Sequence, residues 1–182
     1  MLFILFGQFV SILALKSRPQ DLPPSRLWVW SVLGTYTVLG VLIASIYYAP
    51  IDDTARLAVL ASIARTGLLL VQVGIALALA DLSPRLFQTL LAMGGVGVLL
   101  DVLTLPLMVW FLMAQYVGLP IDFPILLALL NLIWQLIVAG HILRHAFETT
   151  YPLGFAMGLI FASITYSVLN GIFPDLSQVA AS

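Results

Sequence analysis

Two apolar segments joined by a short turn decide the fold: TARLAVLASIARTGLLLVQVGIALALA over residues 54–80, then Asp81-Leu82-Ser83, then PRLFQTLLAMGGVGVLLDVLTLPLMVWFLMAQYV over residues 84–117. Ser83 is a favoured N-cap residue and Pro84 suits a first helical position. The second segment is therefore predicted to start there and to form an antiparallel helical hairpin with the first. Each segment carries one charge deep in its interior. Arg65 lies 17 residues before Leu82 and Asp101 lies 18 residues after Ser83. At about 1.5 Å of rise per residue both sit roughly 26–28 Å from the turn. An Arg opposite an Asp at one depth neutralises it, whereas either alone in hydrocarbon is expensive.

Three readings of that pair are open. It is a structural ion pair that fixes the hairpin's register, or two residues at the outer headgroup boundary, or part of an ion or proton path. Gln72, seven residues past Arg65, falls on the same helix face and extends a polar network. Asn131 and Gln135, one turn apart in a later segment, are expected to hydrogen-bond to another helix.

Hydrophobic residues make up 62% of the 182 positions and charged residues only 8%, against about 25% charged in an ordinary soluble domain. The fold class is all-α: a single polytopic integral membrane helical bundle with five or six transmembrane helices. Taken in order these cover about 1–15, 27–48, 54–80, 84–117, 125–148 and 153–173. The absence of cysteine excludes a disulfide framework, a thiolate nucleophile and a thiolate metal site. The net charge of −1 gives no footprint for nucleic acid, and none is expected as a partner. The first run lacks a positive leader and a cleavage pattern, so it reads as retained. At about 22 Å as a helix it either spans a thinned bilayer or lies re-entrant.

Lys16 to Arg26, with three prolines, is a polar loop. Trp28 and Trp30 stand at one end of the next span and Tyr47 and Tyr48 at the other, as aromatic belts do. Pro50, Asp52 and Asp53 end it. The first turns of 54–80, with Arg56, Ser62 and Arg65, are polar enough to begin as a surface helix. Pro106 is expected to kink the long fourth segment. Pro120 and Pro124 bracket a loop, and Tyr151-Pro152 separates the last two spans. Gly154, Gly158 and Ala162 repeat at four-residue spacing, a stripe suited to helix packing.

His141, His145 and Glu148 share one helix face at the end of the fifth segment. Two imidazoles and a carboxylate at this spacing are a possible metal set. The plainer reading is a polar helix end, with His and Arg favoured by the helix dipole. No metal and no other cofactor is expected. Nucleophile elbows, glycine-rich phosphate loops and HExxH are absent, so an enzyme is disfavoured.

The paired helices with Gly94-Gly95-Val96-Gly97 and Leu105-Pro106-Leu107, followed by two more spans, resemble small bacterial membrane proteins grouped with the Ypt/Rab-interacting (Yip) family over about residues 57–173. The acidic Asp-Leu-Tyr-Gly-Pro motif of the eukaryotic members is missing, and no functional residue carries over. The resemblance implies action through partners or membrane organisation. The expected role is a non-catalytic inner-membrane subunit, scaffold or assembly factor, working with the lipid bilayer and with other membrane proteins or a second copy of itself. The alternative is a small-solute or metal-ion transport component, which a cavity lined by Gln72, Asn131, Gln135 and Asp101 would favour.

Lys16, Arg18 and Arg26 in one loop, Arg85 in another and Arg144 near a third alternate with loops at 49–53 and 118–124 that hold no Lys or Arg. The basic loops, 16–26 first among them, should face the cytoplasm. In intact cells Ser25→Cys is expected to stay protected from an impermeant maleimide while Asp122→Cys is labelled. The reverse pattern would invert the topology.

Overall fold

The computed structural model describes residues 2–48 and 53–173. These form six α-helices: α1 (Leu2–Leu13), α2 (Arg26–Tyr47), α3 (Thr54–Leu79), α4 (Leu86–Val117), α5 (Asp122–Ala146) and α6 (Tyr151–Ile172). Two 3-10 turns, Pro19–Asp21 and Ser83–Arg85, complete the described elements, with no strand among them. Pro50, Asp52 and the tail over 174–182 lie outside the described residues. The five helices α2 to α6 are each long and apolar enough to cross a membrane. Their outward faces are apolar too, with Ile63, Val71, Ile75, Leu103, Leu130 and Ile160 all exposed. That suits hydrocarbon as solvent, not water. With 12 residues, about 18 Å, α1 falls short of a bilayer core of about 30 Å.

The helix that touches most of the others is α4, packed against α1, α2, α3 and α5, while α6 lies on α5 and α3. Its glycines admit the neighbours. At Gly94 a Cβ would come within 3.1 Å of Leu33 on α2, and Gly95 is covered by the Phe9 ring of α1. Leu5, Phe9 and Ile12 bury one side of α1 on that surface, leaving Phe3, Ile4 and Phe6 outward.

Four helices stop in the same way. Leu15, Asp81, Gly118 and Glu148 each adopt a left-handed conformation. The following residue's N–H then reaches back to a carbonyl of the last turn, as in Lys16 to Ser11, Leu82 to Leu77, Leu119 to Ala114 and Thr149 to Arg144, each at 2.8 Å. This is the Schellman cap, which satisfies carbonyls that a helix end leaves free. It corrects several expected boundaries. Because the chain reverses at Asp81, Ser83 lies inside a 3-10 turn without a side-chain cap and α4 begins at Leu86. Because the first helical N–H groups need no internal partner, Pro124 and Pro152 sit within the opening turns of α5 and α6 instead of between helices. Nor does α3 start as a separate surface helix: Ala58, Ala61 and Ser62 are buried in one continuous element. Pro106 likewise lies within an unbroken α4.

Loop 16–25 folds over one end of the bundle. Pro19 and Leu22 are buried. Gln88 of α4 donates to the carbonyls of Gln20 and Leu22 at 3.1 and 2.9 Å, and Gln20 donates to that of His145 at 2.5 Å. Arg85 donates to the Ala146 carbonyl at 3.0 Å and pairs with Glu148. The three basic regions are thereby gathered at a single end.

Of the small-residue stripe on α6, Gly154 and Gly158 are buried and Ala162 is exposed. A Cβ on Gly154 would meet Arg144 Cβ at 2.7 Å, whereas one on Gly158 would find Ala139 at an ordinary 3.5 Å. The two helices therefore touch near Gly140 and open towards Ala162. Gly154→Ala is expected to destabilise by about 1–3 kcal/mol through overpacking, while Gly158→Ala and Ala162→Leu change melting little. Equal melting temperatures for all three in detergent would contradict this splayed crossing.

Candidate functional site

Arg65 of α3 and Asp101 of α4 meet as a two-pronged pair, Nη1 to Oδ2 at 3.1 Å and Nη2 to Oδ1 at 2.9 Å. Matching depth on the hairpin brings them to the same level, and the fork geometry is the strong form of an Arg–carboxylate contact. The two side chains are therefore partners of each other. Tyr36 of α2 adds a third member, its buried ring 4.2 Å from the Arg65 guanidinium. Such stacking favours a cation away from water.

Sequence reasoning missed Tyr36, yet the room for it is written in glycine. A Cβ on Gly97, one turn before Asp101, would stand 2.7 Å from the Tyr36 ring, and one on Gly40 would stand 3.5 Å from Arg65 Nη1. Around Gly40 the α2–α3 contact is polar. Ser62 donates to the Thr37 carbonyl at 2.6 Å, and the Thr37 and Thr66 hydroxyls lie 2.8 Å apart. Tyr36-Thr37 inside one span and Ser62 with Thr66 inside the next were the available signal, since polar side chains at membrane depth seek each other across helices.

The remaining expected network divides. Gln72 donates to Thr165 of α6 at 3.1 Å and does not join Arg65. Its amide reaches across the bundle because α3 and α6 face each other there. Asn131 donates to Thr104 of α4 at 2.9 Å. Gln135 has no hydrogen bond among the described residues, although its neighbours do.

Where α5 and α6 splay, α3 and α4 close the wedge and leave a cavity of about 370 Å³. Arg65, Asp101, Tyr36, Gln72, Gln135, Thr165 and Tyr166 supply its polar groups, and Leu69, Met93, Leu136 and Phe161 much of its apolar wall. Gly158, buried, and Ala162, exposed, also line it. Asn131 is on a different surface, a groove of about 540 Å³ between α4 and α5 that also borders Gln135. Within the pair, Asp101 is the covered partner at 5% exposure and Arg65 the accessible one at 26%. Both side chains line the cavity.

His141, His145 and Glu148 do not assemble. His141 Nε2 faces the Ser17 carbonyl at 2.9 Å, its ring packs edge-on against His145, and Glu148 is drawn to Arg85. Among the described residues no three His, Asp or Glu side chains converge. The His141 imidazole fastens loop 16–25 through Ser17, and the His145 ring accepts from Arg144 Nε at 3.3 Å.

Removing one member of the pair leaves a charge in hydrocarbon. Arg65→Ala and Asp101→Ala are each expected to cost about 3–5 kcal/mol, and the double substitution less than their sum by about 0.5–3 kcal/mol. Unfolding in a lipid–detergent mixture measures all four corners, and strict additivity would mean that the contact carries no energy.

No family model, no curated protein and no solved structure matches this chain, so the site stands on its own geometry.

Proposed function

We propose that the chain is a non-catalytic, multi-span protein of the inner membrane that holds a small solute in the cavity between α3, α4, α5 and α6, as a component of a transport system. The observation that carries this reading is the cavity itself: about 370 Å³, within the usual range for ligand sites, with a largely apolar wall and a few convergent polar groups. A scaffold or assembly factor would be favoured by a tightly packed bundle with an exposed small-residue face. Here α5 covers Gly154 and Gly158, and solute binding takes precedence. A metal cation is a poorer occupant, because the single carboxylate in the cavity is already neutralised by Arg65. From the sequence resemblance to Ypt/Rab-interacting proteins, work alongside other membrane proteins is part of the same proposal. Gathering of Lys16, Arg18, Arg26, Arg85 and Arg144 towards one end supports a cytoplasmic placement of that end.

Protein extracted from membranes in mild detergent, washed and then denatured should release a small molecule detectable by mass spectrometry. Ala162→Phe, which pushes a ring into the cavity mouth, should release less while melting at the same temperature. Identical small-molecule profiles from both proteins would leave the cavity without an occupant and return the scaffold reading.

A further inference from the structure

Resting on the solute-binding reading, we infer that the cavity admits its solute sideways from the bilayer, through the gap between α5 and α6, and that this solute is an uncharged single-chain amphiphile. Its head both donates and accepts hydrogen bonds, as an alcohol or a primary amide does. The route follows from which lining residues are exposed. Around the cavity these are Leu132 of α5 with Ala162 and Tyr166 of α6, and every other lining residue is buried or half-buried. The gap therefore lies between those two helices, which touch at Gly140 and Gly154 and part beyond them. Leu132 and Ala162 each stand at least ten residues from both ends of their helices, about 15 Å of rise. At that depth the surroundings of a span are hydrocarbon and not water. A molecule that enters there comes from among the lipid chains.

Charge and hydrogen bonding describe the head. Arg65 and Asp101 neutralise each other in their two-pronged contact, so the lining holds no net charge to balance an ionic group, and an unbalanced ion at mid-span is expensive. The hydrogen-bonding capacity left over is neutral, and it gathers where Gln72 of α3 meets Thr165 of α6, both of which line the cavity. That contact uses one amide N–H and one lone pair of the hydroxyl. Neither side chain makes another hydrogen bond among the described residues. The amide oxygen of Gln72 and the hydroxyl hydrogen of Thr165 are thus left without partners, an acceptor and a donor within one contact. Gln135 adds a second amide to the lining. A hydroxyl or primary amide pairs with such a set, whereas a bare hydrocarbon leaves it unmatched where no bulk water reaches. Leu136 and Phe161 offer the chain an apolar wall. At about 30 Å³ per water-sized group the space of about 370 Å³ takes roughly a dozen such groups. The head and first carbons of one chain fit, and the remainder of the chain passes out between α5 and α6 into the bilayer.

The test uses the full chain in phosphatidylcholine nanodiscs and three diazirine-bearing probes of equal chain length: hexadecanol and, as permanently charged counterparts, hexadecylsulfonate and hexadecyltrimethylammonium. Each is irradiated at the same fraction of the disc lipid, and labelled peptides are mapped by mass spectrometry. Hexadecanol should label the cavity-lining parts of α5 and α6 saturably and several times more than either charged probe. Unlabelled hexadecanamide should compete, and hexadecane should not. Thr165→Val, which keeps the shape of the side chain and removes its hydroxyl, should weaken hexadecanol labelling about fivefold, the worth of one hydrogen bond, and Thr165→Ser should keep it. Ala162→Phe should abolish it. Labelling by a charged probe equal to that by hexadecanol, or hexadecane competing as well as hexadecanamide, would overturn the inference. So would Thr165→Val or Ala162→Phe labelled like the wild type. The comparison of probes on the wild-type protein decides even if a variant does not fold. Absence of saturable labelling by any probe, or release of a charged, water-soluble molecule in the retained-molecule experiment, would also overturn it. In the last case solute binding stands, and that experiment judges the solute reading separately in the others.

Discussion

A guanidinium at membrane depth has to be neutralised, and the arrangement of three helices follows from doing so. The fork between Arg65 and Asp101 locks the α3–α4 hairpin in register, since a slip of one turn, about 5.4 Å, would leave both charges alone in hydrocarbon. The fork in turn requires space for an arginine between helices. Gly97 on α4 leaves the place of a side chain to the Tyr36 ring, and Gly40 on α2 leaves room for Ser62 beside Arg65. A Cβ at either position would press on a neighbour of the ion pair, Tyr36 or Ser62.

At the other end of the bundle the problem is different: carbonyls at the ends of α1, α3 and α5 and the backbone of a proline-rich loop all need partners. The chain meets this with glutamines and an arginine in place of a hydrophobic plug. Gln20 and Gln88 tie loop to helix ends, and Arg85 closes the end of α5 while neutralising Glu148. The His141 imidazole belongs to this scheme, with the Ser17 carbonyl as acceptor, and His145 contributes its backbone carbonyl to Gln20.

Much of the architecture was legible because hydrocarbon is an unforgiving solvent. Runs of apolar residues had to be helices, and equal distance from a turn put Arg65 and Asp101 at one level, where pairing was one of three open readings. The boundaries were less legible. Leu15, Asp81 and Glu148 take the left-handed caps usually given to glycine, so the residue types carried no stop signal. Pro124 and Pro152 read as breakers, although the opening turn of a helix tolerates them. At the site, polarity was visible but partnership was not. Gln72 and Asn131 look alike in sequence, yet one crosses to Thr165 and the other to Thr104, because the tilt of α5 and α6 is set by glycine contacts far along the chain.

That tilt is what makes a cavity unavoidable. With Gly154 pressed against Gly140 and Arg144, the two helices open towards Ala162, and Leu69, Gln72 and Met93 of α3 and α4 border the wedge without filling it. The space of about 370 Å³ is open along one side, so it is reached from outside the bundle and differs from the sealed void that a truncated core residue leaves. Arg65, Asp101 and Gln72 give it a polar part and Leu136 and Phe161 an apolar wall, and that division of surface is what the solute-binding proposal rests on.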